Sequence, residues 1–154
     1  MRVSIFWFSV SMVAVVSLAL VAQDEEIDPR QLGENLKEYL GRSVVFTDEL
    51  AYFYRDVSEY TNYLKFDTRY VSCRLEVKEE DDQKILMRYA MGELRTLKDE
   101  KFKDSRLELL REILFNEREP HPVIIKGEVV SPEIYEGDVQ IVEVKEVERA
   151  RYKR

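Results

Sequence analysis

Residues suited to nucleophilic or acid–base chemistry are few in this chain. Its 154 residues include one cysteine, Cys73, and one histidine, His121. His121 lies between two prolines, and no Gly-x-Ser-x-Gly sequence supplies the serine of a Ser-His-Asp triad. Cys73 alternates with apolar residues, a pattern that predicts a buried, unreactive thiol. We therefore expect no catalytic residues and no enzymatic activity.

Metal and cofactor sites have equally little support. A structural zinc site takes most of its four ligands from cysteine and histidine, and this chain has one of each. Carboxylates crowd residues 76–82, but without the spacing and the glycine of a calcium-binding loop. A solvated turn at a helix start explains them better, because the helix dipole favours negative charge there. The five glycines are isolated, so no phosphate-binding loop forms. We expect no metal and no cofactor.

An aromatic cluster is the strongest candidate for a binding surface. Eight aromatic residues fall between Phe46 and Tyr70. On a sheet, such rings either stack against a ligand or fill the core, and the pattern leaves both interpretations open. The residues that we expect to contact a ligand or partner are Tyr52, Tyr54, Tyr63, Phe66 and Tyr70.

Charge argues against nucleic acid as the ligand. The chain has 31 acidic and 24 basic residues, a net charge of −7. Within residues 43–77, six acidic residues outnumber four basic ones. Binding to a polyanion depends on lysine and arginine releasing counterions, so we expect a protein of the cell envelope as the partner rather than nucleic acid. The last ten residues are basic, which suits either an acidic partner or a frayed end.

The N-terminus has the features of a membrane-directing segment. Residues 3–22 carry no charge, Arg2 precedes them, and acidic residues follow from Asp24 onward. This asymmetry places the N-terminus in the cytoplasm and the rest of the chain across the membrane. About 20 apolar residues can span a bilayer, and Ala22 also suits a signal-peptide cleavage site. Residues 1–22 are therefore a cleaved signal peptide or a retained inner-membrane anchor, and we expect an exported, periplasmic or otherwise extracytoplasmic protein. Membrane attachment follows only if the segment is not cleaved.

The next segment, residues 23–41, is predicted to contain an amphipathic helix. Asp28 suits the N-cap, Pro29 the first helical position, and Gly41 the helix end. The apolar face of this helix would consist of Leu32, Leu36, Tyr39 and Leu40.

Residues 42–148 are predicted to form one domain, followed by a basic tail at 149–154. Period-two alternation predicts five strands, at 43–55, 63–66, 70–77, 123–130 and 139–147. The first strand is expected to bend or bulge at Asp48-Glu49. A helical stretch at 81–116 precedes the fourth strand, with a capping box at Ser105 and Glu108. The order helix-βββ-αα-ββ is a mainly β fold with a helical insertion, in the α+β class.

This order of elements resembles an OB-fold, a five-stranded, partly open Greek-key barrel. Three segments carry the resemblance: Tyr39-Leu40-Gly41-Arg42-Ser43-Val44, Phe66 to Arg74, and Ile124 to Val130. They are similar to bacterial extracytoplasmic OB-fold proteins related to anticodon-binding OB domains, many of which have no known activity. The resemblance implies a non-catalytic binding or structural module of the cell envelope. The alternative is a receptor for an oligosaccharide or a single-stranded nucleic acid, using the same aromatic face.

Overall fold

A closed five-stranded barrel forms the centre of the fold in the computed structural model, which describes residues 25–55, 62–93, 95–115, 122–132 and 139–151. The strands are β1 (Ser43–Phe53), β2 (Tyr63–Thr68), β3 (Ser72–Glu76), β4 (Pro122–Val130) and β5 (Ile141–Arg149). Their order around the barrel is β1-β2-β3-β5-β4, with antiparallel pairing everywhere except between β3 and β5. The expected α+β, OB-like architecture is confirmed. The barrel is closed rather than partly open, because Cys73 and Arg74 pair with Val142 and Glu143.

Alternation of side chains along the strands builds the core. In β4, half-buried and buried residues alternate without interruption from Pro122 to Val130. The largest completely buried side chains of the barrel include Phe46, Phe66, Leu75 and Ile125.

A bulge near the end of β1 reverses this alternation. The register of β1 against β2 shifts between Leu50 and Tyr52, two residues beyond the expected Asp48-Glu49. Before the shift, even-numbered residues such as Leu50 are buried; after it, Phe53 is buried and its even-numbered neighbours are exposed. The extra residue therefore turns the side chains of Tyr52 and Tyr54 outward.

The N-terminal segment packs against β1. Ile27 donates its backbone N–H to the Val45 carbonyl at 2.7 Å, and the hydroxyl of Thr47 donates to Glu26 at 2.6 Å. Helix α1 (Pro29–Glu34) follows, and Leu32 on it is completely buried in the core.

The ends of this helical segment follow the sequence prediction in part. Asp28 caps α1 by accepting the N–H groups of Arg30 and Gln31. A 3-10 helix, Leu36–Tyr39, then replaces the expected continuation of α1. Gly41 ends it with a φ of 78°, a left-handed conformation that suits glycine. Leu40 is exposed, contrary to the expected apolar face.

Between β3 and β4, the described residues form three helices where two were expected: α2 (Glu80–Ala90), α3 (Arg95–Asp99) and α4 (Ser105–Phe115). Buried residues of this connection, among them Leu97, Phe102, Leu107 and Leu110, belong to the same core as the barrel. Asp104 caps α4 by accepting the N–H of Arg106. The expected capping box at Ser105 is therefore wrong, and Glu108 instead accepts the N–H of Phe102 at 2.8 Å.

Two buried charged side chains hold this connection together. Asp82 is completely buried and accepts the backbone N–H groups of Lys103 and Asp104 at 2.7 and 3.0 Å. Arg111 donates to the carbonyls of Leu97 and Lys98 at 3.1 and 3.0 Å. Asp82 is thus a buried acceptor of backbone hydrogen bonds, whereas the sequence pattern predicted a solvated acidic turn at this position.

Several sequence predictions fall on residues outside the described ranges. These are the membrane-directing segment at 1–22, His121, and residues 152–154 of the basic tail. Within the described ranges, every helix is too short or too polar to cross a bilayer.

Candidate functional site

The outer surface of β1, β2 and β3 is the candidate binding site, which we call the tyrosine face. Its position follows from period-two geometry, since alternate residues of paired strands point to the same side. Tyr52 lies opposite Asp67, and Lys65 lies opposite Arg74. The tyrosine face consists of Tyr52, Tyr54, Tyr63, Lys65, Asp67 and Arg74.

A chain of hydrogen bonds fixes one half of the tyrosine face. The Tyr52 hydroxyl donates to the Tyr54 hydroxyl at 3.0 Å, which donates to Oδ2 of Asp67 at 2.6 Å. The two rings meet edge to face with their centroids 4.9 Å apart. Tyr52 and Tyr54 nevertheless remain 48% and 36% exposed. This half is an exposed pair of rings whose orientation is set by a carboxylate beneath it.

The same environment disfavours ionisation of Tyr54. Partial burial, followed by the hydrogen bond to Asp67, raises the pKa of Tyr54 well above its ordinary value. Its hydroxyl therefore remains a donor to the Asp67 carboxylate throughout the physiological pH range.

A cation covers the other half of the tyrosine face. The guanidinium carbon of Arg74 lies 4.3 Å from the ring centroid of Tyr63. The same guanidinium lies 3.4 Å from Oε1 of Glu143 on β5, with both side chains largely buried. One face of the Tyr63 ring and the charge of Arg74 are therefore already engaged within the protein.

Two buried polar atoms of the tyrosine face lack hydrogen-bond partners among the described residues. They are Oδ1 of Asp67 and Nε of Arg74. An unsatisfied buried polar group typically costs about 1–3 kcal/mol, so its presence in a folded protein needs an explanation. One is an acceptor and the other a donor, and they lie on neighbouring strands.

The structure brings together three of the five predicted contact residues, namely Tyr52, Tyr54 and Tyr63. Phe66 is completely buried and packs against Phe53 with centroids 6.1 Å apart. Its position inside the barrel does not fit the expected role as a ligand contact, because it alternates with the outward-facing Lys65 and Asp67.

Tyr70 is exposed but lies elsewhere, in the turn between β2 and β3. The guanidinium carbon of Arg69 lies 5.1 Å from the centroid of the Tyr70 ring. The backbone N–H of Tyr70 donates to Oδ2 of Asp48 at 2.9 Å. Its backbone carbonyl lies against Gly33 of α1. Sequence reasoning missed Asp67 and Arg74, although the alternation that places Phe66 inside would have placed Asp67 outside.

The thiol of Cys73 is buried, which confirms its prediction as a core residue. Burial, with a smaller contribution from the negative charge of Asp67, raises the pKa of this thiol, so it remains in its weakly nucleophilic protonated form. Within the described ranges, no three histidine, cysteine or acidic side chains are grouped so that they could hold a metal ion.

Comparison with known proteins adds little to the fold itself. No protein family and no curated protein match this sequence. Among solved structures, the chain is similar to a protein described as an aspartyl-tRNA synthetase from Leishmania major Friedlin, with 10% identity and a TM-score of 0.47. The match covers 83% of this chain and only 21% of that protein. A likeness this weak carries no argument about function. The barrel itself supports the conclusion that this chain has an OB-like fold, an architecture that suits a binding module.

Proposed function

We propose that this protein is a non-catalytic, exported binding module of the cell envelope, and that it holds a protein partner on the tyrosine face. The observation that carries the proposal is the exposed pair Tyr52 and Tyr54, oriented by Asp67. Tyrosine is enriched in protein interfaces because one side chain offers both apolar area and a polar group. Rings already fixed by hydrogen bonds lose little conformational entropy on binding.

The ring geometry favours a protein over a stacking ligand. Sugars and nucleic-acid bases bind best to open, accessible ring faces. Arg74 covers one face of Tyr63, and Tyr52 and Tyr54 meet edge to face instead of presenting parallel platforms. The Arg74 charge is also paired with Glu143, so it is poorly placed to neutralise a phosphate. These contacts support a protein partner over an oligosaccharide or a single-stranded nucleic acid.

Export is proposed from the sequence of the N-terminal segment. Residues 3–22 are uncharged between Arg2 and Asp24, which is the arrangement that directs a chain across a membrane.

A capture experiment with matched tyrosine variants tests the proposal. The full chain in mild detergent is immobilised and exposed to envelope proteins from the cells that produce it, and the captured proteins are identified by mass spectrometry. Tyr52→Ala removes the most exposed of the rings bonded on the tyrosine face, whereas Tyr70→Ala removes a similarly exposed ring in the β2–β3 turn. We expect Tyr52→Ala to lower capture of a specific protein by about tenfold or more, as for an interface hot spot, and Tyr70→Ala to leave it unchanged.

Two outcomes would count against this proposal. Equal capture by all three proteins would show that the tyrosine face is not the interface. Tyr52-dependent binding to an array of glycans or oligonucleotides, without a protein partner, would instead support the receptor function. Binding to nucleic acid would also weaken steeply as salt is added.

A further inference from the structure

We infer that the protein partner inserts an uncharged carboxamide, the side chain of asparagine or glutamine, between Asp67 and Arg74. This inference rests on the proposed function, because it names the chemistry of the partner at the same site. It begins from the two buried atoms without hydrogen-bond partners among the described residues, Oδ1 of Asp67 and Nε of Arg74.

The strand register places these two side chains within reach of one group. Asp67 lies opposite Ser72, and Lys65 lies opposite Arg74, so Asp67 and Arg74 are diagonal neighbours on the same side of the sheet. Diagonal neighbours on paired strands are about 7–8 Å apart at their backbones, close enough for long side chains to converge. A carboxamide carries an N–H donor and a carbonyl acceptor on one carbon, and a single side chain can therefore satisfy both atoms.

Charge excludes the obvious competitors for this position. A carboxylate from the partner would be attracted by Arg74 and by the buried Lys65 opposite it, but would be repelled by Asp67 and by Glu143, which lies 3.4 Å from the guanidinium. A lysine or arginine from the partner would donate to Asp67 but would meet the positive charge of Arg74. A neutral group with one donor and one acceptor avoids both penalties.

Access to the two atoms requires movement of the Tyr54 ring, beside Asp67, and of the Tyr63 ring, which lies on Arg74. The Tyr54 hydroxyl is bonded to Oδ2 of Asp67, and its ring is in contact with that of Tyr52. The Tyr54 ring is more than a third exposed and can shift while its hydroxyl keeps the bond to Oδ2, whereas the half-buried Tyr63 ring must turn away from Arg74 to open Nε. Changes of side-chain rotamer at an interface are common on binding.

Selection from a displayed library of random peptides tests the inference. The library is panned against the full chain in detergent, and recovered peptides are measured by fluorescence anisotropy. We expect the recovered peptides to share an asparagine or glutamine, and replacement of that residue by its acidic counterpart to weaken binding about tenfold, the effect of one lost buried hydrogen bond. This comparison uses the unaltered protein, so it does not depend on the folding of any variant.

Variants of the protein give the reciprocal test. Asp67→Asn keeps an oxygen for the Tyr54 hydroxyl but puts a donor in place of the free acceptor, so we expect the peptides to bind about tenfold more weakly. Asp99→Asn, the same change at an exposed aspartate of α3 in the helical connection, is the matched control and should bind as the unaltered protein does.

The results separate this inference from the proposed function. Recovery of no peptide, recovery of peptides without a carboxamide preference, or equal binding by Asp67→Asn would overturn the inference while Tyr52-dependent capture of a protein still stands. Capture that is indifferent to Tyr52→Ala would overturn the proposed function itself. Binding of a neutral glycan through Asp67 would overturn both.

Discussion

Asp82 shows how much of the helical connection depends on one carboxylate. It is completely buried and accepts two backbone N–H groups, those of Lys103 and Asp104. Asp82→Ala leaves both donors without an acceptor in a partly buried loop. We expect the free energy of unfolding to fall by about 2 kcal/mol or more, measured by urea denaturation followed by circular dichroism.

The neighbouring Asp81 provides the control for this prediction. It is exposed and pairs with Lys103 through its side chain, a contact that lowers the pKa of Asp81 and raises that of Lys103. Exposed ion pairs contribute little to stability, so Asp81→Ala should change the free energy of unfolding far less than Asp82→Ala. Similar losses for the two variants would contradict the role assigned to Asp82.

Glu108 links stability to pH. Its hydrogen bond with Arg111 lowers its pKa below the ordinary 4.5, although partial burial opposes the shift. The unfolded chain then binds a proton more readily than the folded protein, so this stabilisation is complete above the ordinary pKa and is lost as pH falls through the folded-state value. Asp104, whose pKa Arg106 lowers, acts in the same direction.

We therefore expect the urea midpoint of unfolding to decline as pH falls from about 5 to about 3. In Glu108→Gln, stability at neutral pH should be lower and the decline shallower, because one of the titrating groups is gone. An equally steep decline in the variant would mean that other carboxylates account for the acid sensitivity.

At the scale of elements, alternation predicted the five strands. It did not predict which side of the barrel Tyr52 and Tyr54 face, because the bulge in β1 determines that. Simple period two assigns Tyr52 and Tyr54 to the same side as Val44 and Phe46, inside the barrel. The bulge lies where β1 passes from pairing with β4 to pairing with β2. Its position therefore depends on β4, far away in the sequence, as well as on β2, and a local pattern does not contain that information.

The N-cap of α4 was mispredicted for a related reason. Asp104 and Ser105 are adjacent, and either side chain is chemically able to cap a helix. Glu108, the expected partner of Ser105, instead binds the N–H of Phe102 and the guanidinium of Arg111. Contacts within the folded connection selected the cap, whereas the short motif alone favoured its neighbour.

Gly127 is the position where the pairing of β4 with β5 is most sensitive to substitution. The register shifts between Lys126 and Gly127, and an added Cβ would lie 2.4 Å from the Glu143 carbonyl oxygen and 2.8 Å from Cγ1 of Val142. Gly127→Ala must push β5 away, so we expect the free energy of unfolding to fall by about 2–3 kcal/mol. Because β3 closes the barrel on Val142 and Glu143, amide hydrogen exchange should also accelerate in β3.

Gly41→Ala is the matched control. A Cβ at Gly41 would meet open space, and only its φ of 78° is unfavourable for alanine. We expect a loss of about 1 kcal/mol, with no change of hydrogen exchange in β3. The assignment of Gly127 to barrel closure would be wrong if the two variants lost equal stability or if β3 exchange stayed slow in Gly127→Ala.

At the scale of the whole molecule, composition and element order predicted the class of fold but only part of the binding surface. One cysteine and one histidine argued against a zinc site, and three strands before a helical connection predicted an OB-like barrel. The pairing of Arg74 with Glu143 joins β3 to β5 across a long stretch of sequence. No local motif predicts such a contact. Only the folded chain therefore shows that the charge of Arg74 on the tyrosine face is paired with a carboxylate.

The N-terminus gives a prediction for the whole molecule. If residues 1–22 are a cleaved signal peptide, the mature protein begins at Gln23, and mass spectrometry of the protein purified from cells will show that terminus. A protein that keeps Met1 and stays in the membrane fraction after an alkaline wash would establish the retained anchor instead.

Glu26 and Ile27 are attached to β1, and this attachment affects the anchored protein and the cleaved protein differently. Only residues 23–25 separate Ala22 from this attachment, and three residues reach at most about 11 Å even when fully extended. If the segment is retained as an anchor, this short linker would hold the barrel close to the lipid headgroups. The barrel could then bind only partners that lie near the membrane surface. If the signal peptide is cleaved, only three residues would precede the attached Glu26. An exopeptidase would have little free chain to bind, so we expect the new amino terminus to resist trimming.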